Sequence, residues 1–556
     1  MQWARAVPVI TLLVACGGTP VASPPPRVLP PVEGPTAPAI TAPPAAPVDP
    51  FAIVGTLQEE WLPLLKPPVF DLKTLPFPPV PKGVAPAPAA CDAFAKRAAA
   101  KTTKCKAAAA TMAALDAALS EADPAKRDAL LVDIEACPGL PVGLARALRA
   151  ELAPVECGDR IVEPLLVSPP AGMTGAVYHA LFGQGLAARL ARSALTPPTL
   201  APPLSKARVT DFVNGPMKDW ALEQSRAIQE TSQVAERLPY YGKAIAAVEA
   251  GVADLRFVEA VRAGPIHDEM AKDGELRDAY FGSLDASLEP RKDRGRNAAL
   301  AGLKELAYVG ALRDTRADRA RVILSRAYGG RRIDALDTLL VPPLPSSPSS
   351  TVEERLAMKL PTFYAGLVLP EAEAHKPGVL RALVEQGISV PHRIALKTFE
   401  LPPEMRHVYA HARLELGRRY WRSFDFDQAI VHAQAWPKDR ARPEELTLIL
   451  ALAIALRKGP EDAGAMIREA PRVALGLGNV AALDVIAAEK GRYAGMAAFD
   501  AAIIRQIATP ANAGADAWRD VARRFRAAEA LLQDPAPRAV AADRARAAEE
   551  TAKSIP

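Results

Sequence analysis

The sequence predicts an all-α fold, an α-solenoid of antiparallel helix hairpins preceded by a signal peptide and a disordered Pro-rich linker. Three observations carry this expectation. Apolar residues make up 49% of the chain but aromatics only 5%, so the apolar content is mostly Ala, Val and Leu. That composition suits closely packed helices better than a strand sandwich, which draws on aromatic and β-branched residues. From Cys91 onward apolar residues recur at three- and four-residue spacing. In KAIAAVEAGVADLRFVEAV, Ile245, Val248, Val252 and Leu255 share one helix face, while Glu249, Asp254 and Arg256 fall elsewhere. No stretch sustains period-two alternation, so no sheet is expected.

The elements follow in chain order. Residues 1–15 have a charged start and then a ten-residue, mainly apolar run, Ala6 to Ala15. Ten residues span only about 15 Å as a helix, half a bilayer core, which fits a secretory signal rather than a membrane span. The run ends Leu13-Val14-Ala15-Cys16. This resembles the lipobox of bacterial lipoproteins, and the resemblance implies that Cys16 is lipidated and becomes the first mature residue. Gly17 is not the aspartate associated with inner-membrane retention. By analogy, the anchored protein belongs at the outer membrane, facing the periplasm.

Residues 16–50 are expected to form a tether. Twelve prolines lie between Thr19 and Pro50, a composition that favours extended polyproline II and buries no core. Residues 51–90 are also Pro-rich but carry Trp61, Phe70 and Phe77, rings expected to fix this stretch on the folded body as an extended wrap. A cysteine-containing helical subdomain is expected over 91–204, and a helical block over 205–341. Asp123-Pro124, Gly264-Pro265 and Glu289-Pro290 read as helix starts, with proline tolerated in the first turn. VPPLPSSPSS breaks the pattern and sets a linker at 342–352. Helical repeats then fill 353–534, and a helical tail 535–556.

With Cys16 set aside for lipid, four of the five cysteines remain: Cys91, Cys105, Cys137 and Cys157. An even number in an oxidising compartment suggests two disulfides, with three connectivities open. One continuous helix from Cys91 to Leu119 would hold Cys91 and Cys105 about 21 Å apart, beyond disulfide reach. A hairpin turning at Ser120–Pro124 then brings Cys105 level with Cys137 and leaves Cys91 for Cys157. A break at Lys101-Thr102-Thr103 favours the local pairs Cys91–Cys105 and Cys137–Cys157 instead. A zinc site would want a short Cys-x2-Cys pair, and there is none.

The most informative motif is LELGRRYWRSFDFDQAIVHA. Leu416, Gly417 and Tyr420, with Phe426 in the turn and Ala429 in the second helix, resemble a tetratricopeptide repeat. The resemblance implies that Gly417 and Ala429 let two helices approach while Tyr420 and Phe426 fill the wedge between them. Leu450, Ala451, Ile454 and Ala463 repeat the pattern thirty-four residues later. A shorter echo holds Leu483 and Tyr493. The chain departs from the repeat where Arg413 takes the usual Trp position, where Ala433 replaces a large residue, and where the terminal proline is displaced to Pro443. LSRAYGGRRIDAL, Leu324 to Leu336, reads as a similar hairpin.

Candidate chemistry is sparse. Glu404, His407 and His411 stand at i, i+3 and i+7, a spacing that places three metal-ligand types on one helix face. A capping or solvated surface is the plainer reading. FGQGLAARLA contains Gly183-x-Gly185-x-x-Ala188, but a dinucleotide fingerprint needs a preceding strand and an acidic residue about twenty positions on; a helix–helix turn is expected. Residues 290–334 hold twelve Lys/Arg against five Asp/Glu, a local excess above the whole chain's +5. Arg313, Arg316, Arg319 and Arg326 lie there, and on one face they would suit an anionic polymer such as lipopolysaccharide or peptidoglycan. No G-x-S-x-G, P-loop or H-E-x-x-H motif occurs. The expectation is therefore no enzyme, no cofactor, no metal, no nucleic acid and no small-molecule substrate. A helical-repeat body is instead expected to bind envelope proteins, with Trp421 and Trp436 as contact residues. An anionic-polymer binder, or an envelope enzyme built around His407 and His411, are the alternatives.

Overall fold

The computed structural model describes residues 49–53, 55–58, 76–97, 105, 107–308, 316–318, 320–321, 336–344, 348–369, 376–385, 402–420, 423–457, 479–510 and 512–555. The chain divides into two units, Met1–Asp49 and Pro50–Pro556, and the described helices all belong to the second. Among the described residues there is no strand. No described helix is long and apolar enough to cross a membrane.

The cysteine-bearing region contains α1 (Cys91–Ala95), α2 (Ala108–Ser120), α3 (Pro124–Asp133), α4 (Leu144–Leu152) and α5 (Gly158–Val167). The start of α3 is where the sequence puts it. Asp123 accepts the Lys126 N–H at 2.8 Å and Pro124 takes the first turn, where its missing N–H costs nothing.

The next helix, α6 (Gly175–Ala191), is buried from Ala176 to its end. Its sequence has no polar stripe, as expected of a helix enclosed on every side, and it packs against α4, α5, α8 (Lys218–Ala235) and α9 (Tyr240–Arg262). Gly183 and Gly185 lie inside it, so FGQGLAARLA is neither a phosphate loop nor the expected turn. Gly183 is where α6 crosses α9: a Cβ there would stand 2.5 Å from the Cα of Gly242. Two backbones can meet this closely only without side chains.

After α7 (Lys206–Phe212), α8 and α9 come the short α10 (Asp268–Lys272) and the 35-residue α11 (Gly274–Tyr308). Two expected starts move here. The helix after Gly264-Pro265 begins later, capped by His267, whose ring accepts the Met270 N–H at 3.2 Å. Glu289-Pro290 starts nothing, because α11 runs straight through Pro290. An interior proline costs about 3 kcal/mol. Packing along α9 offsets it, and Arg291 and Arg294, on the turn after the proline, each reach Asp254 of α9 at 2.8 Å.

The remaining helices are α12 (Val352–Lys359), α13 (Thr362–Val368), α14 (Pro377–Glu385), α15 (Pro403–Tyr420), α16 (Ser423–Gln434), α17 (Glu444–Leu456), α18 (Ala481–Ala488), α19 (Ala494–Ala508), α20 (Ala515–Leu531) and α21 (Pro535–Ser554). A capping box formed by Thr351 and Glu354 opens α12. From α14 to α21 each helix packs on the next described one. The last, α21, buries Ala541, Ala545, Ala548 and Ala552, at three- and four-residue spacing, and turns Arg538, Asp543, Arg546 and Glu550 to solvent.

One apolar core runs from Cys91 to Ala552 and includes residues on both sides of the Pro-rich break. The described residues of VPPLPSSPSS are non-helical, yet the chain leading into them is held firmly. Arg418 donates to the Leu339 carbonyl at 2.8 Å, and Asp500 accepts the Leu340 N–H at 2.8 Å. The hairpin expected at 324–336 lies, apart from Leu336, outside the described residues.

Candidate functional site

The repeat-like hairpin is α15 and α16. Leu416, Phe426 and Ala429 are fully buried and Tyr420 nearly so. A Cβ on Gly417 would meet the Phe426 ring at 2.7 Å, so the glycine makes room for that ring. Leu450, Ala451 and Ile454 are buried in α17. Ala463 and Trp421 lie outside the described residues. Trp436 is half-buried: its ring packs against the core and its Nε1 donates to the Ala441 carbonyl at 3.2 Å.

Arg413, at the usual Trp position, is only 1% exposed. It donates to Asp425 at 2.7 Å and to the Tyr409 hydroxyl at 2.8 Å. These bonds form a polar brace across the hairpin. The sequence held a signal for this, an arginine on an apolar face with an aspartate at the start of the facing helix.

The Glu404–His407–His411 trio does not assemble. Glu404 is exposed and pairs with Arg440 at 3.5 Å, whereas His407 is buried. Burial lowers the pKa of both histidines. Among the described residues no group of three His, Cys, Asp or Glu side chains is gathered for a metal ion. The starts of α15, α17 and α19 do form a polar edge. Tyr493 donates to Glu445 at 2.8 Å and Arg492 reaches the same carboxylate at 3.6 Å. Burial and the Glu445 carboxylate push the Tyr493 phenol up to about 12.

The basic segment is not a cationic face in its described part. Arg316, expected at the surface, is 8% exposed and ion-paired to Glu151 inside the body. Arg291 and Arg294 share Asp254, Arg296 binds Glu289 and Asp293, and Arg321 binds Asp337. Arg313, Arg319 and Arg326 lie outside the described residues. Glu151 also accepts from Gln184 at 2.8 Å, and Gln184 bonds the Tyr364 hydroxyl at 2.8 Å.

Cys91 pairs with Cys157 and Cys105 with Cys137, at Cα separations of 5.0 and 5.4 Å. This is the long-range connectivity, but not for the expected reason. The first helix ends at Ala95 and Cys105 stands before α2, so no continuous helix separates Cys91 from Cys105. The pairing follows instead from α1 lying against α5 and the turn Val155–Cys157. The local pairs that a broken helix was expected to give do not form.

The arrangement with the most recognition chemistry is a groove on α6 and α8 that holds residues 77–85 of the chain. Phe77 sits edge-on to Phe182, with centroids 5.1 Å apart, and under the Arg189 guanidinium at 4.1 Å. A Cβ on Gly185 would stand 2.6 Å from the Phe77 ring, so the glycine forms the floor of its pocket. Arg189 also donates to the Pro78 carbonyl at 2.7 Å and to that of Pro79 at 3.3 Å. Farther along, Gln224 donates to the Gly83 carbonyl at 2.8 Å, and the Ala85 N–H donates to the Arg192 carbonyl at 3.2 Å. Asp159 of α5 pairs with Arg192 and lies 3.9 Å from Arg189. Burial raises the Asp159 pKa and lowers that of Arg189. Prolines offer carbonyls and no N–H; Arg189 presents a donor to those of Pro78 and Pro79, and Gln224 one to that of Gly83. A second contact of the wrap lies on the α15–α16 hairpin, where Gln428 donates to the Gln58 carbonyl at 3.1 Å.

No protein-family model matches the chain, and no curated protein or solved structure matches it significantly.

Proposed function

We propose that the protein is a lipid-anchored scaffold of the bacterial cell envelope, tethered to the outer membrane through Cys16, whose helical-repeat body binds another envelope protein. The observation that carries this reading is the run of helices from α14 to α21, each packed on the next and ending in a helix with a polar outer face. A stack of this kind, closed by a polar cap, offers its extended flank to a partner. The lipobox and the long Pro-rich tether supply the anchor and the reach.

The test is site-specific photocrosslinking in intact cells. Crosslinker at Glu404, Glu444 or Arg492, on the edge made by the helix starts, is expected to give one discrete protein adduct. Crosslinker at Arg538 or Arg546, on the outer face of α21, is expected to give none. The same adducts from both sets, or none from either, would overturn the reading.

A further inference from the structure

The groove on α6 and α8 holds its occupant through contacts unlike those of an ordinary core. The segment Phe77-Pro78-Pro79-Val80 presents one aromatic ring and a row of carbonyls. The ring enters a pocket of Phe182, Gly185 and Arg189, the Pro78 and Pro79 carbonyls meet Arg189, and farther on the Gly83 carbonyl meets Gln224. Pro79 and Val80 stay exposed, Val80 at 50%. The segment therefore lies on the body and is not threaded through it. Extended Pro-rich peptides are recognised in this manner, an aromatic-lined groove taking a preformed polyproline helix at low entropic cost. The donors are prepared in advance. Gln224 is fixed by the Ala194 N–H at 2.7 Å, and Asp159 flanks Arg189 and Arg192.

We infer that this groove is a recognition site for an aromatic-Pro-Pro segment, filled in cis by residues 77–85 and able to take the same sequence from a partner. The inference deepens the scaffold reading by naming a class of partner segment, but it rests on a surface far in sequence from the α14–α21 stack. Either can fail alone. Tethering gives the cis segment an effective concentration on the order of mM. A free peptide that binds the open groove with a Kd of about 0.1 mM is then weakened roughly tenfold by the cis occupant.

The experiment uses the full chain and a fluorescent peptide with the sequence of residues 76–87. Phe77→Ala removes the cis ring and leaves every groove residue in place. Gly83→Ala loosens the other end of the segment, because Gly83 has φ +96° and a Cβ there would lie 2.9 Å from Glu223. The peptide is expected to bind Phe77→Ala about tenfold more tightly than wild type, and Gly83→Ala by an intermediate factor. A peptide with Phe replaced by Ala is expected not to bind. Adding Arg189→Ala to Phe77→Ala is expected to abolish binding while the four disulfide cysteines stay oxidised. Binding to neither loosened chain, equal binding to wild type and Phe77→Ala, or binding that survives the loss of Arg189 would each overturn the inference. If Phe77→Ala does not fold, the Gly83→Ala comparison decides alone.

Discussion

Asp500 is fully buried with one donor facing it, the Leu340 N–H at 2.8 Å. Burial holds its carboxyl well above the usual carboxylate range, against the opposing pull of that bond and of Arg418. The folded chain thus keeps a proton that the unfolded chain releases above its ordinary value of 3.8. The stability this group contributes is present below that value and is lost as pH rises through the folded one. The buried histidines act in the opposite sense. Burial pushes His179 down to about 4 and also lowers His407, His411 and His432. Their contribution is present above 6.5 and lost as pH falls. The difference between Asp500→Asn and wild type isolates the aspartate, since the amide keeps a neutral acceptor for Leu340. The variant's urea midpoint is expected to match or exceed wild type at pH 7, with the gap closing toward pH 4. A midpoint lower at pH 7 than at pH 4, relative to wild type, would sink this account. Asp500 reads in the sequence as one more polar residue of an Ala-rich helix, because the strap it holds lies 160 residues away.

Among elements, the α6–α9 crossing is the tightest constraint on the sequence. Gly183→Ala puts a methyl group into the Gly242 backbone, which unlike a side chain has nowhere to turn. Overpacking of this kind costs about 3 kcal/mol. Gly282, in α11, has nothing within 4 Å of its would-be Cβ. Gly282→Ala is expected to add about 0.5–1 kcal/mol from helix propensity alone. Urea denaturation of the two variants should therefore shift in opposite directions, and similar shifts would mean that the helices do not cross at Gly183. Helix existence was largely legible, because a helix is made of contacts four residues apart and its caps are local. The Asp123-Pro124 start and the small residues of the α15–α16 hairpin show this. Pro290 shows the limit: its local signal says start, and packing against α9 overrules it.

At the scale of the whole molecule, the two disulfides take four of the five cysteines and leave Cys16, which we propose carries the lipid anchor. Cys91–Cys157 encloses Cys105–Cys137, with sequence separations of 66 and 32. In the chain-entropy account each restricts the unfolded chain by about 4 kcal/mol, somewhat less for the inner one. Cys16→Ser is expected to move the protein from the membrane to the soluble fraction, or to block its processing. A thiol titration of the denatured, unreduced variant should find no thiol. Retention in the membrane would remove the anchor, and a free thiol would remove the division of cysteines.

The sequence by itself determined that the chain is helical, where several helices begin, that proline-rich stretches interrupt them, and that the α15–α16 hairpin is closely packed. These follow from periodicity and from side chains a few positions apart. Only the tertiary structure decided which cysteines meet, that Arg316 points inward to Glu151, that Gly183 and Gly185 serve helix contact and a ring pocket, and what receives Phe77. Phe77 was conspicuous among its prolines. Its partner Arg189 lies more than a hundred residues farther on, and an arginine that will stack on a ring and bind carbonyls looks no different in sequence from one bound for solvent. Burial and pairing across such distances are properties of the packed chain, set by which helices come together and not by any local pattern.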